Sequence, residues 1–168
     1  GAILLGALLD RLREAELPVA SLRLFAPACT TRFALDHYVR AVEAKILPLE
    51  RWKIHVLSDE NERADAVGPY RKSLLYLVSR AFEEEHKTPL LGLARTFDPA
   101  SLPMDLWSDE GREDVEEWLA FWNAKKRTAE NPIVLEDEKV SNGASAIAAG
   151  HGCFDNAVGV MSEALSFA

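Results

Sequence analysis

"RWKIHVLSDENERADAVGPY", residues 51–70, decides how this chain is read. Residues 51–58 form a short apolar run with the character of a strand. The chain then turns acidic, with Asp59, Glu60, Glu62 and Asp65 expected in a loop. A Gly-Pro pair at 68–69 opens a helix over 68–85 whose Leu74, Leu75, Leu77, Val78, Ala81 and Phe82 recur on one side. Strand, acidic loop and helix in that order make one unit of an α/β protein.

The same rhythm extends in both directions. Upstream, "VASLRLFAP" (19–27) reads as a strand ending at Pro27, and 33–48 as a helix stopped by Pro48. Residues 1–16, "GAILLGALLDRLREAE", begin inside an amphipathic helix with neither cap nor preceding turn, which suggests a missing start. Downstream, residues 108–127 read as a long helix whose acidic beginning and basic end complement its dipole, with Trp118, Leu119 and Trp122 facing inward. "NPIVLED" (131–137) and "GASAIAAG" (143–150) read as strands, and 156–167 as a closing helix. The expected fold class is therefore α/β, a parallel sheet with helices on both faces.

Composition narrows the function classes. The 168 residues are 48% hydrophobic, enough for one sizeable core, and 19 basic residues against 27 acidic ones give a net charge of -8. No basic stripe interleaved with aromatics offers itself to nucleic acid. The cysteines, Cys29 and Cys153, make no disulfide framework, so a reducing cytoplasm is the expected location. No apolar stretch approaches the roughly 20 residues that span a bilayer. No cofactor motif is present, and oligomeric state is left open.

In parallel sheets, function gathers where strands end at their carboxyl side. After the second strand lie Asp59, Glu60, Glu62 and Asp65; after the last lies "GHGCFDN" (150–156), with His151 between two glycines. An acid followed by a histidine supplies two parts of a nucleophile, base and orienting-acid system. His151 is the expected general base, and the acids after the second strand, Asp59 and Asp65 among them, are candidates to orient it.

Taken together these stretches resemble the C-terminal half of an α/β-hydrolase of the serine esterase or lipase type. "GAILLGALLD" (1–10) resembles the helix that follows the nucleophile turn, "RLFAPA" (23–28) the next core strand, "DAVGP" (65–69) the acid loop with Gly68 inserted, and "GHGCFDN" the histidine loop. The resemblance implies that residues 1–168 are the C-terminal portion of one such domain, lacking the N-terminal strands and the nucleophile elbow. It implies acyl hydrolysis of a small-molecule ester, with the nucleophilic serine just ahead of Gly1, Asp65 as the orienting acid and Asp59 in reserve. No G-x-S-x-G occurs, and Ser58, Ser73, Ser79 and Ser145 sit in none of the required turns, so residues 1–168 alone are expected to be inactive.

Plainer roles compete with each of these. His151 could cap the last helix, Asp65 the helix from 68, and Asp155 with Asn156 the final one. Cys29, Cys153, His37, His55 and the Trp118/Trp122 pair read as packing, and His86 as packed or solvated. A metal site from His151, Cys29 and Cys153 lacks chelate spacing. The alternative to an enzyme is a non-catalytic α/β-hydrolase-like binding module.

Overall fold

The computed structural model describes residues 1–65, 73–124 and 131–165. It is a mixed α/β protein built on a three-stranded parallel sheet. Strands β1 (Leu22–Phe25), β2 (Trp52–Leu57) and β3 (Ile133–Leu135) lie in the order β1-β2-β3. The register sets Leu24 beside Ile54 and Phe25 beside His55, then His55 beside Ile133 and Leu57 beside Leu135. All six residues of β2 are buried, which explains why this strand reads as a nearly continuous apolar run: a central parallel strand is covered on both faces.

Alternation along β2 sends Trp52, Ile54 and Val56 one way and Lys53 and His55 the other. On the first face, Trp52 stacks on Tyr38 with centroids 5.4 Å apart and meets Trp118 and Trp122 edge-on at 5.9 and 6.0 Å. Those tryptophans come from α6 (Asp109–Ala124), whose buried Val115, Trp118, Leu119 and Trp122 follow i, i+3, i+4, i+7 spacing. Both are core residues, as their spacing indicated. On the second face His55 stacks on Phe25 at 4.6 Å, and Phe25 meets Phe154 at 5.6 Å.

Helix α1 (Ala2–Glu14) packs on the helical segment that links β1 to β2. That segment runs from α2 (Thr31–Ala34) through a wider π-type turn, Leu35–Val39, into α3 (Arg40–Glu43). Gly6 allows the close approach: a Cβ there would stand 2.4 Å from the Phe33 ring. The Tyr38 hydroxyl donates to the Ala2 carbonyl at 2.6 Å, and His37 Nδ1 lies 2.6 Å from Asp10, so His37 joins two helices. The helix ends at Glu43, and Lys45 takes φ +60. Among the described residues, no helix is long and apolar enough to cross a membrane.

Several parts of the sequence fold differently from their expected form. The acidic stretch after β2 is not a loop but a short helix, α4 (Asp59–Ala64). Ser58 caps it by accepting the Asn61 amide at 3.1 Å, and the acidic first turn suits the positive end of the dipole. The expected last strand forms as β5 (Ser145–Ala148), yet it lies outside the parallel sheet: it pairs antiparallel with β4 (Lys139–Asn142) around a turn in which Gly143 takes φ +65. A hairpin needs only this tight turn, whereas a parallel partner requires a crossover. Of the helix expected over 68–85, the part up to residue 72 lies outside the described residues. The remainder is α5 (Leu74–Leu77), which continues as a π-type turn, Val78–Phe82. The closing helix is divided into α7 (Cys153–Asn156) and α8 (Val158–Leu165).

Candidate functional site

Helix α4 determines which carboxylate faces inward. Successive helical residues are about 100° apart, so Asp59 and Arg63 share one side while Asn61 and Glu62 turn toward the protein. Asn61 donates through Nδ2 to the carbonyls of Leu135 at 2.8 Å and Asp137 at 3.0 Å, tying α4 to the end of β3. Glu62 is left only 2% exposed, and a buried carboxylate requires partners.

It has two. The Ser73 hydroxyl donates to Glu62 Oε1, and His151 Nε2 lies 3.2 Å from Oε1 and 3.1 Å from Oε2. His151 arrives from the loop between β5 and α7, so residues 89 positions apart meet at one end of the sheet. Phe154 stands edge-on to the imidazole at 6.5 Å.

Burial by itself would lower the His151 pKa. The hydrogen bond and charge of Glu62, together with the charge of Asp65, outweigh that and raise it above the ordinary 6.5. Nδ1 has no hydrogen-bond partner among the described residues, and the His151 side chain is 24% exposed. The imidazole is thus held on one nitrogen and approachable from outside.

Asp65, the expected orienting acid, reaches His151 but not its ring. Its Oδ2 accepts the His151 backbone N–H at 2.6 Å, clamping the main chain of the loop. Gly150 makes room for this, since a Cβ there would lie 2.9 Å from the Asp65 carboxylate. Asp59, the reserve, is engaged elsewhere: it accepts from the Tyr76 hydroxyl and, at 3.1 Å each, pairs with Arg95 and Arg63. Burial would raise its pKa, but the hydrogen bonds from Tyr76 and Arg95 and the Arg63 charge hold it below the usual range. The carboxylate on the ring is Glu62, which reading the stretch as a loop left unassigned. Its signal was available in "SDENER" (58–63), a Ser cap followed by an acidic first turn.

The remaining candidates fall outside this arrangement. Cys29 and Cys153 are buried free thiols, and burial pushes Cys29 up to about 12 and raises Cys153 as well, so neither is an activated nucleophile. His55 is 1% exposed in the sheet and His86 is exposed. Asn156 Nδ2 donates back to the Gly152 carbonyl at 2.7 Å, bracing the loop. Among the described residues, no group of three or more His, Cys, Asp or Glu side chains could hold a metal ion. Comparisons with family models, with curated proteins and with solved structures find no match to this chain.

Proposed function

We infer that the chain carries the acid–base part of a serine-type acyl hydrolase, within an α/β-hydrolase-like domain, acting on a small-molecule ester. His151 is its general base and Glu62 the carboxylate that orients the ring. The observation that carries this reading is the contact of His151 Nε2, at 3.1 and 3.2 Å, with a carboxylate that is itself almost wholly buried. Such a carboxylate fixes the imidazole's tautomer and stabilises its cation.

A serine hydroxyl is a weak nucleophile at neutral pH. As its oxygen attacks the acyl carbon, the ring nitrogen that Glu62 leaves free accepts the proton, then returns it to the departing alkoxide. Water repeats the cycle on the acyl intermediate. Asp65 keeps the loop, and therefore the ring, from drifting.

The serine belongs, on this reading, to the turn that leads into α1. A cleft of about 400 Å³ lies between the start of α1 (Gly1, Ala2, Leu5) and the end of β1 (Phe25 to Cys29). Phe25 on its wall packs against Phe154, which in turn meets the His151 ring. The two buried free cysteines are compatible with a reducing compartment.

The test is hydrolysis of a simple aryl ester by the full-length protein. His151→Ala is expected to lower kcat/KM by about 10³-fold or more. An unchanged rate contradicts the hydrolase reading and favours a binding module.

A further inference from the structure

Ser73 resembles no catalytic serine, yet it is 1% exposed and sits against the candidate site. Its hydroxyl does two things at once. It accepts the Tyr76 amide at 3.2 Å, capping α5, and it donates its only proton to Glu62 Oε1. The donation rules Ser73 out as a nucleophile toward His151, because the carboxylate lies between them.

We propose that Ser73 is a positioning residue for the general base: its hydroxyl holds Glu62 Oε1 so that the buried carboxylate meets His151 Nε2 in one fixed orientation. The terminal torsion of a glutamate is broad and has no strong preference of its own. A hydroxyl anchored to a helix N-terminus removes that freedom. The inference rests on the reading of His151 as base and Glu62 as its orienting acid.

Electrostatics gives it a second consequence. Among the described residues, the charged groups that face the imidazole are Glu62 from α4 and Asp65 just beyond it. By stabilising part of the Glu62 charge, Ser73 limits how strongly the carboxylate draws a proton onto His151. Without the hydroxyl the carboxylate depends more on a protonated ring, so His151 should hold its proton to higher pH. A base that works near neutral pH needs that restraint.

The experiment is a double-mutant cycle on aryl-ester hydrolysis by the full-length protein, with pH profiles. Ser73→Ala should lower kcat about tenfold, the scale of one hydrogen bond to a charged group, with KM little changed. The acid limb of kcat/KM should move upward. Ser73→Thr, which keeps the hydroxyl, should restore both. In the Glu62→Gln background Ser73→Ala should add nothing. If Ser73→Ala fails to fold, Ser73→Gly replaces it, since glycine is tolerated at a helix N-cap. Additive losses in the cycle, or lost thermal stability with kcat and the acid limb unmoved, overturn the positioning role while leaving Glu62 and His151 in place. An active Glu62→Gln enzyme overturns the underlying reading and the positioning role with it.

Discussion

Two histidines, the buried His55 in β2 and the half-buried His151 beyond β5, are driven in opposite directions by their surroundings. His55 is enclosed between strands, stacked on Phe25, with Arg23 and Lys53 on its own face of the sheet. Burial, then the charges of Arg23 and Lys53, lower its pKa to about 4. His151 is desolvated too, but Glu62 reverses the sign. Burial alone therefore does not make a histidine functional or structural; the charge placed against the ring does. His55 is held neutral as a packing group, whereas His151 is held where it can gain and lose a proton.

The largest effects should come from removing the charge that separates them. Glu62→Gln leaves a hydrogen-bonding side chain of the same shape but no charge, and should cut ester hydrolysis by roughly 10³- to 10⁴-fold. Asp65→Asn should cost much less, because Asp65 meets only the main chain of His151. Asp59→Asn should leave the rate near normal. Steady-state kinetics on the three variants, with melting temperature as control, decides among them. A loss at Asp65 as large as that at Glu62 would restore the acid first expected from the sequence.

The next effect is on stability against pH. Because the His55 pKa is about 4 in the folded protein against an ordinary 6.5, the unfolded chain binds more protons between those values. The His55 contribution is complete above about 6.5 and is lost as pH falls toward 4, by roughly 3 kcal/mol at most. His151 has the opposite sign: its contribution is complete below 6.5 and is lost as pH rises through its raised folded value. Denaturant melts across pH 4 to 8 should show the acid loss shrink in His55→Gln and persist in His151→Gln.

Smaller still is Gly150→Ala. The new Cβ would displace the Asp65 carboxylate, with a loss of about 1 kcal/mol for the bond to the His151 amide. Amide hydrogen exchange should quicken at His151 and stay slow at His55; equal exchange at His151 in both proteins contradicts the clamp.

These contrasts also mark what the sequence made legible. Strands β1 to β3, the tryptophans of α6 and the position of His151 after β5 follow from apolar patterning, because their spacing repeats what burial demands. The identity of the acid did not. Asp65 lies four residues before Pro69 in the sequence, the spacing that pointed to it, but the residues before it coil into α4, and one helical turn moves the inward position to Glu62. Reading 59–65 as a loop assigned no direction to any of its carboxylates. The hairpin was equally hidden: "KVSN" (139–142) is too short and too polar to announce a strand without β5 beside it.

NMR titration of the histidine ring protons reads whether a buried Glu62 makes His151 the proton-accepting histidine. His151 should titrate above 6.5 and His55 near 4, with Glu62→Gln lowering His151 and leaving His55 where it is. A His151 that titrates at or below 6.5, or one that Glu62→Gln does not move, contradicts that role for Glu62.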